Sequence, residues 1–276
     1  MTQLISASLR DVDPEEGFPF SVPAIRSLDS LDLNVSVSLF VGENGSGKST
    51  LIEALALASN LPAVGSGSLD RDPTLKAQRR LADHMKLGWK RRSHRGFFLR
   101  AEDFFGFQKA LATQRAEHEA ELRRLDGELK DASPLARSLA MGVHRGSIQS
   151  LTQRYGEEPD ARSHGEAFLD LFKARLVPEG LFLLDEPEAA LSPLSQLALV
   201  AMIREAVAKG GQFIVATHSP ILMAIPGAEI HLFDGGHIRR ARYEDLESVT
   251  LVRDFLQSPQ RFLRHIWPDE AEERNS

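Results

Sequence analysis

A glycine-rich stretch near residue 45 constrains the fold of this chain more than any other feature. Residues 42–49 read GENGSGKS and match the pattern G-x-x-x-x-G-K-[ST] at every fixed position. An apolar run over residues 35–41 precedes the stretch, and apolar residues at helical spacing follow it. Glycines let successive backbone N–H groups face one anion, and the N-terminus of the next helix adds its positive dipole end. The sequence therefore predicts a strand–loop–helix unit that cradles phosphate.

The polar residues of this loop have distinct predicted roles. Lys48 is expected to place a positive charge on the β- and γ-phosphates of a nucleotide, and the Ser49 hydroxyl to coordinate magnesium. The predicted nucleotide-binding residues are the complete loop and its first helical positions: Gly42, Glu43, Asn44, Gly45, Ser46, Gly47, Lys48, Ser49 and Thr50.

Two later strand ends supply candidate catalytic residues. The run LFLL predicts a buried strand that ends at Asp185 and Glu186, and ligands of open α/β sheets bind at such carboxyl ends. Asp185 is predicted to hold magnesium, and Glu186 to orient and deprotonate an attacking water molecule. His218 follows the apolar run QFIVA, and a neutral imidazole there can hydrogen-bond a γ-phosphate. Glu186, His218 and Lys48 are therefore the candidate catalytic residues.

The composition removes several classes of site and of protein. The 276 residues contain no cysteine, which excludes disulfides, zinc–thiolate sites and cysteine catalysis. The N-terminus has no signal-peptide pattern, and no stretch reaches the roughly 18 apolar residues of a membrane helix. A formal net charge of −6 argues against extensive coating by nucleic acid but permits a local basic face. We expect a cytoplasmic protein without membrane insertion.

The order of the predicted elements indicates an α/β fold. Strand-like runs interrupted by Gly, Pro and Asp occupy residues 1–41, and a second α/β stretch begins near residue 165. Between them, residues 104–176 are charged and helical in pattern, which predicts an inserted helical lobe. The prediction is a single P-loop NTPase domain over residues 1–268 with an N-terminal antiparallel β part. An acidic tail over residues 269–276 is predicted to be disordered.

Taken together, these motifs resemble those of the ATP-binding-cassette (ABC) ATPases, and in particular the soluble SMC/RecF- and OLD-like branch known as AAA-family predicted ATPases. The resemblance covers most of the chain and identifies residues 42–50 as a Walker A loop. It implies that Asp185 is the Walker B aspartate, Glu186 the catalytic glutamate and His218 the switch histidine. It also implies ATP and Mg²⁺ as cofactors and an ABC-ATPase-like fold.

The stretch ARSHGEAFL, residues 161–169, lies where this family has its signature motif, although His164 replaces the usual glycine. The resemblance implies that the motif caps the γ-phosphate bound by a second subunit, so that two chains enclose two ATPs. The residues predicted to act in trans are Ser163, His164, Gly165 and Glu166. A nucleophile–base pair of Ser163 and His164 is disfavoured because adjacent side chains at a helix start diverge. A simple helix N-cap remains the alternative.

Two positions of the family pattern have no clear counterpart. The family's glutamine that links magnesium to the helical lobe is replaced by Glu102 or Asp103, and Gln108 lies too far along the chain. Glu102 is therefore a candidate contact to metal-bound water. Phe18 and Phe20 are candidates for the residue that stacks on adenine, on position alone.

The function predicted from these motifs is ATP hydrolysis by a homodimer that drives conformational work on DNA or a partner protein. A nucleotide-gated clamp with little turnover is one alternative. A transporter subunit is the other, although Ser192 stands where transporter ATPases usually have aspartate. The segment Arg71–Arg95 carries nine Lys/Arg against two Asp and is a candidate surface for nucleic acid or an acidic protein. An ordinary solvated face is the competing interpretation of that segment.

Overall fold

The computed structural model describes residues 3–10, 17–64, 72–92, 94–155, 164–264 and 266–267. Its strands form two sheets. In chain order they are β1 Leu4–Leu9, β2 Leu31–Asp32, β3 Val37–Gly42, β4 Met85–Trp89, β5 Gly96–Arg100, β6 Leu181–Asp185, β7 Gln212–Ala216, β8 Glu229–Asp234 and β9 His237–Ala241. The larger sheet has the order β5-β6-β7-β3-β8-β9, parallel except for the pair β8–β9. The smaller sheet, β2-β1-β4, is antiparallel. The predicted α/β fold class with an antiparallel β part is confirmed.

Helices pack on both faces of the larger sheet, which explains its continuously apolar strands. The helices are α1 Pro23–Arg26, α2 Lys48–Ala58, α3 Lys76–His84, α4 Ala101–Glu128, α5 Pro134–Tyr155, α6 His164–Arg175, α7 Pro193–Ala208, α8 Pro220–Met223, α9 Glu247–Gln257 and α10 Pro259–Leu263. Successive residues of β6 alternate between two apolar clusters, with Leu181 and Leu183 in one and Phe182 and Leu184 in the other. The sheet therefore separates two buried layers.

The helices α4 and α5 form an antiparallel pair in the range where the sequence predicts a helical lobe. Contacts between His118 and His144 and between Asp126 and Arg137 fix this direction, because the partners' numbers rise on one helix and fall on the other. The first of these helices begins at Ala101, directly after β5, so the lobe is joined to the edge strand of the larger sheet without a loop. The division into one domain and a tail stays a prediction, and residues 269–276 lie outside the described residues.

The register of the parallel strands brings the sequence motifs to one edge. Asp185, the last residue of β6, is the cross-strand partner of Arg100 on β5 and of Ala216 on β7. Strand β3 pairs with β7 and leads directly into the glycine-rich loop. Because carboxyl ends of parallel strands share one edge, the loop, the acidic pair and the residues after β7 lie together.

Candidate functional site

The glycine-rich loop turns back over the end of β3 in a conformation that depends on its glycines. Gly42 and Gly47 have φ angles of 152° and 103°, in the region that disfavours side chains. A Cβ atom on Gly42 would also lie 2.5 Å from the Phe233 carbonyl oxygen, and one on Gly47 would lie 2.9 Å from the Val22 side chain. Both glycines are therefore required by backbone angle and by space.

Lys48, the first residue of α2, extends back across this loop. Its Nζ donates hydrogen bonds to the carbonyl oxygens of Gly42 at 2.8 Å and Glu43 at 2.7 Å. Burial lowers the pKa of Lys48, while the carboxylates of Glu186, Asp185 and Glu188 oppose that change. The ammonium group thus lies between the loop and an acidic cluster, where it can bind phosphate.

The next residue connects α2 to the acidic strand end. The Ser49 hydroxyl donates to Asp185 Oδ1 over 3.1 Å. Burial, and after it the Glu53 carboxylate, raises the pKa of Asp185 to about 7. A hydroxyl and a carboxylate at hydrogen-bonding distance are hard oxygen ligands of the kind Mg²⁺ takes from proteins, with phosphate and water completing its shell. Ser49 and Asp185, the predicted magnesium ligands, therefore fit this ion.

Glu186 adopts a backbone conformation that is uncommon for a residue with a side chain. Its φ and ψ angles are 49° and 48°, and its N–H donates to the Ala216 carbonyl oxygen at 2.9 Å. Strained backbone of this kind concentrates at functional sites. The turn directs Glu186 Oε1 to within 3.6 Å of His218 Nε2, so two predicted catalytic groups meet.

A further carboxylate, Glu188, holds the backbone beneath the histidine. Its Oε1 accepts a hydrogen bond from the His218 N–H, while its Oε2 is buried and has no hydrogen-bond partner among the described residues. The His218 Nε2 atom is likewise buried without a hydrogen bond there. The contact between Glu188 and His218 was not predictable, since nothing in the sequence links these two residues.

The position of Glu102 differs from that expected of a metal contact. Its side chain is 76% exposed, and its carboxylate forms an ion pair with Arg100 at 3.4 Å. The neighbouring Asp103 also binds Arg100, through both of its oxygens at 2.8 and 2.9 Å. The structure thus places a guanidinium between these acids and α2.

The aromatic candidates lie away from the loop. Phe20 is buried and packs edge-on against His84, with the Arg80 guanidinium 5.4 Å from its ring centre. Phe18 is 53% exposed. A cavity of about 680 Å³ adjoins the loop, and its described lining includes Leu232, Phe233 and Leu251 but neither candidate.

The motif predicted to act in trans is described only in part. Ser163 lies outside the described residues, and α6 begins at His164. A Cβ atom on Gly165 would lie 3.2 Å from the Ser195 hydroxyl oxygen, so the helix start packs tightly on α7. Glu166 lies in the first turn of α6.

Two family models match the segments that form this site. One, described as "AAA domain", matches residues 21–133, and the other, described as "AAA domain, putative AbiEii toxin, Type IV TA system", matches residues 167–224. The first contains the glycine-rich loop, and the second contains Asp185, Glu186 and His218. These matches support an ABC-type ATPase, the class that the motifs resemble. The predicted family and enzyme class are confirmed.

Curated relatives of this chain share about a quarter of its residues. The pyoverdine export ATP-binding/permease protein PvdT of Pseudomonas fluorescens is 28% identical over 233 residues, 81% of this chain and 32% of the relative. The hemin import ATP-binding protein HmuV of Nocardia farcinica is 28% identical over 79% of this chain and 71% of its own. The chain thus spans about a third of the length of the export protein.

Solved structures similar to this chain include an ATP-binding cassette and an Smc head domain. A nucleotide-free ATP-binding cassette from an ABC transporter has 18% identity and a TM-score of 0.47, over 94% of this chain and 97% of its own. An Smc head domain from Pyrococcus furiosus has 13% identity and a TM-score of 0.46, over 91% and 99%. Among the described residues, no helix combines the length and apolar character needed to span a bilayer.

Proposed function

We propose that this ATPase closes as a homodimer around two ATP molecules and hydrolyses them with Glu186 as general base. The observation that carries the proposal is the convergence of Lys48, Ser49, Asp185, Glu186 and His218 at one edge of the sheet. A positive charge, hard oxygen ligands and a carboxylate next to an imidazole are the groups that phosphoryl transfer to water uses. The experiment that tests it is Glu186→Gln, developed in the Discussion.

Each side chain has a task in this mechanism. Lys48 binds the phosphate oxygens, and Glu186 accepts a proton from the attacking water. His218 donates a hydrogen bond to the γ-phosphate, and its backbone is held by Glu188. Ser49 and Asp185 would hold Mg²⁺, which supplies positive charge against the negative charge that develops on the phosphate oxygens.

The remaining group for the γ-phosphate comes from the partner in this proposal. His164, Gly165 and Glu166 form the first turn of α6, where a helix N-terminus favours an anion, and Ser163 comes directly before them in the sequence. In the ABC architecture, this motif reaches the nucleotide of the other subunit and not its own. ATP binding and dimerisation are therefore coupled.

The trans role makes Ser163→Arg an informative variant. A bulky cation at this position should block closure, so ATP-dependent dimers and hydrolysis should both be lost. ATP affinity of the monomer should stay within about twofold, because the loop of the same chain is untouched. Size-exclusion chromatography with light scattering, together with equilibrium ATP binding, measures both effects.

The control for this variant is Ser138→Arg, which adds the same side chain at an exposed position of α5 in the same lobe. It should dimerise normally with ATP. If Ser163→Arg forms ATP-dependent dimers as well as the unmodified chain does, the signature motif does not act in trans.

We further propose nucleic acid as the partner on which the ATPase works. Lys86 on β4 and Lys90 directly after it are exposed, while the alternating residues Met85, Leu87 and Trp89 pack toward an apolar core, so the two lysines lie on the other face. On the opposite face of β4, a cleft of about 570 Å³ is lined by Arg10, Arg79 and Arg92 together with Asp83 and Trp89, among others. Cations beside an aromatic ring suit phosphate and base. Arg71 lies outside the described residues.

Reversing the charge of this face should remove a nucleic-acid effect selectively. If double-stranded DNA stimulates the ATPase, Lys86→Glu with Lys90→Glu should abolish stimulation without changing the basal rate. The salt dependence of DNA binding should flatten by about one unit of log–log slope per lost phosphate contact. Exposed Lys209→Glu, on the turn after α7, is the control. If DNA still stimulates the ATPase of the double variant, the lysine face of β4 does not bind DNA. If an acidic protein stimulates the ATPase and DNA does not, the partner is a protein.

A transporter subunit is the second candidate function, because the relatives include proteins named for export and for hemin import. Ser192 and the match to AAA-domain models favour the soluble branch instead. A nucleotide-gated clamp differs from the main proposal only in turnover, which the steady-state rate measures. The cytoplasmic location stays a prediction.

A further inference from the structure

A single buried guanidinium lies at the end of β5 and binds carboxylates from three segments of the chain. The Arg100 side chain is 7% exposed, and it contacts Glu53 at 3.0 Å, Asp72 at 3.2 Å and Asp103 at 2.8 Å. Burial lowers the pKa of Arg100, but the hydrogen bonds that Arg100 donates to the Asp103 and Glu53 carboxylates outweigh burial and raise the pKa above its ordinary value. The guanidinium is therefore always charged, and its removal would leave buried carboxylates unpaired.

On one side, this cluster is part of the nucleotide site. Ser49 and Glu53 are four residues apart on α2 and therefore share one face of the helix. Ser49 binds Asp185 on β6, while Glu53 binds Arg100 on the neighbouring strand β5, and Asp185 and Arg100 are cross-strand partners. The helix that begins with Lys48 is thus fixed to two adjacent strand ends by two parallel contacts.

On the other side, the cluster holds the root of the helical lobe. Asp103 lies in the first turn of α4 and accepts hydrogen bonds from Arg100 Nε at 2.8 Å and Arg100 Nη2 at 2.9 Å. This paired geometry fixes direction as well as distance, and a lysine cannot reproduce it. Helix α4 also packs against the turn Pro187–Ala190, directly after Glu186. A change in the angle of α4 would therefore alter the Arg100 contacts as well as the packing on this turn.

We propose that Arg100 is a positioning residue that couples the phosphate-binding helix to the helical lobe, through Glu53 at one end and Asp103 at the other. ATP binding at α2 is transmitted through the guanidinium to the first turn of α4, which sets the lobe for closure with a second subunit. The inference rests on the proposed homodimer only for this last step. Arg100 does not touch the reacting atoms.

Asp103→Asn tests this coupling because it removes the charged contact between Arg100 and the first turn of α4 and leaves the nucleotide-binding loop unchanged. ATP affinity should stay within about twofold, whereas kcat should fall roughly 10-fold with KM nearly unchanged. In the unmodified chain, a non-hydrolysable ATP analogue should change hydrogen exchange in the first turns of α4. The variant should lose that change, a loss that a stability defect alone does not produce.

Asp126→Asn is the matched control, since Asp126 lies on the same helix and also binds an arginine, Arg137, at an exposed position. It should retain the exchange response and kcat. Arg100→Lys should have the same effects on kcat and on the exchange response as Asp103→Asn. Adding Glu53→Gln to Asp103→Asn should lower kcat little further, because both substitutions interrupt the same coupling through Arg100.

Two results overturn the proposal: an unchanged exchange response in Asp103→Asn, or additive losses in the double variant. The exchange response requires ATP binding alone, so it decides the coupling even if the unmodified chain does not dimerise. Failure of that chain to form ATP-dependent dimers would instead contradict the proposed function. The two failures are thereby distinguishable.

Discussion

Glu186→Gln should arrest this ATPase with ATP bound, as a stable dimer. Glutamine keeps the size and hydrogen-bonding ability of the side chain but cannot accept a proton from water, so the chemical step should slow by at least about 100-fold. Lys48 and the loop bind phosphate together in this proposal, and the described hydrogen bonds of Lys48, which include those to the Gly42 and Glu43 carbonyl oxygens, do not involve the Glu186 side chain. Binding should therefore persist while turnover stops. Light scattering after size exclusion should show a dimer that depends on ATP, beside a steady-state rate near background.

The backbone of Glu186 makes this a clean substitution. Its left-handed conformation is fixed by the N–H bond to Ala216 and by the following turn, and glutamine adopts it at the same cost. Glu205→Gln, at an exposed position on α7, controls for the loss of one negative charge. Hydrolysis by Glu186→Gln at the rate of the unmodified chain would refute the general-base mechanism. A slow variant that remains monomeric with ATP would refute the coupled dimer.

The part of the site that sequence predicts well is the part that follows from parallel strands. An apolar run that ends in Asp185 and Glu186 and another that ends before His218 must meet at one edge if both strands are parallel to β3. The structure has this arrangement, with Asp185 and Ala216 as cross-strand partners and Ser49 in contact with Asp185. The shared edge follows from the parallel direction of the strands alone, so the sequence pattern suffices to predict it.

The Arg100 cluster was not predictable in the same way, because it depends on register and side-chain direction. The sequence pattern pointed to Glu102, whereas the structure turns Glu102 outward and Arg100 inward at the same strand exit. One signal was available: Glu53 is a charged residue on the otherwise apolar face of α2, four residues after Ser49. A buried acid requires a cation, but only the fold shows which cation supplies it.

Asp185→Asn is expected to have the second large effect, in opposite directions on stability and on activity. Burial and the nearby Glu53 raise the pKa of Asp185 from 3.8 to about 7 in the folded chain. Between these two values the folded state binds more protons than the unfolded state, so the free energy of unfolding falls as pH rises toward 7 and then levels. Asparagine does not ionise and avoids this loss.

The stability difference between Asp185→Asn and the unmodified chain should therefore grow from pH 5 to pH 7 and reach a plateau near pH 8. Without nucleotide and magnesium, the variant should have the higher Tm at pH 8, by several degrees at about 2–4 °C per kcal/mol. Its magnesium-dependent ATPase should fall by more than about 100-fold, because a charged ligand for the metal is lost. Asp254→Asn, an exposed acid on α9, should change neither. A variant with a lower Tm than the unmodified chain across this pH range would show that Asp185 stabilises the nucleotide-free fold, and the strand end would then not be held ready for a cation.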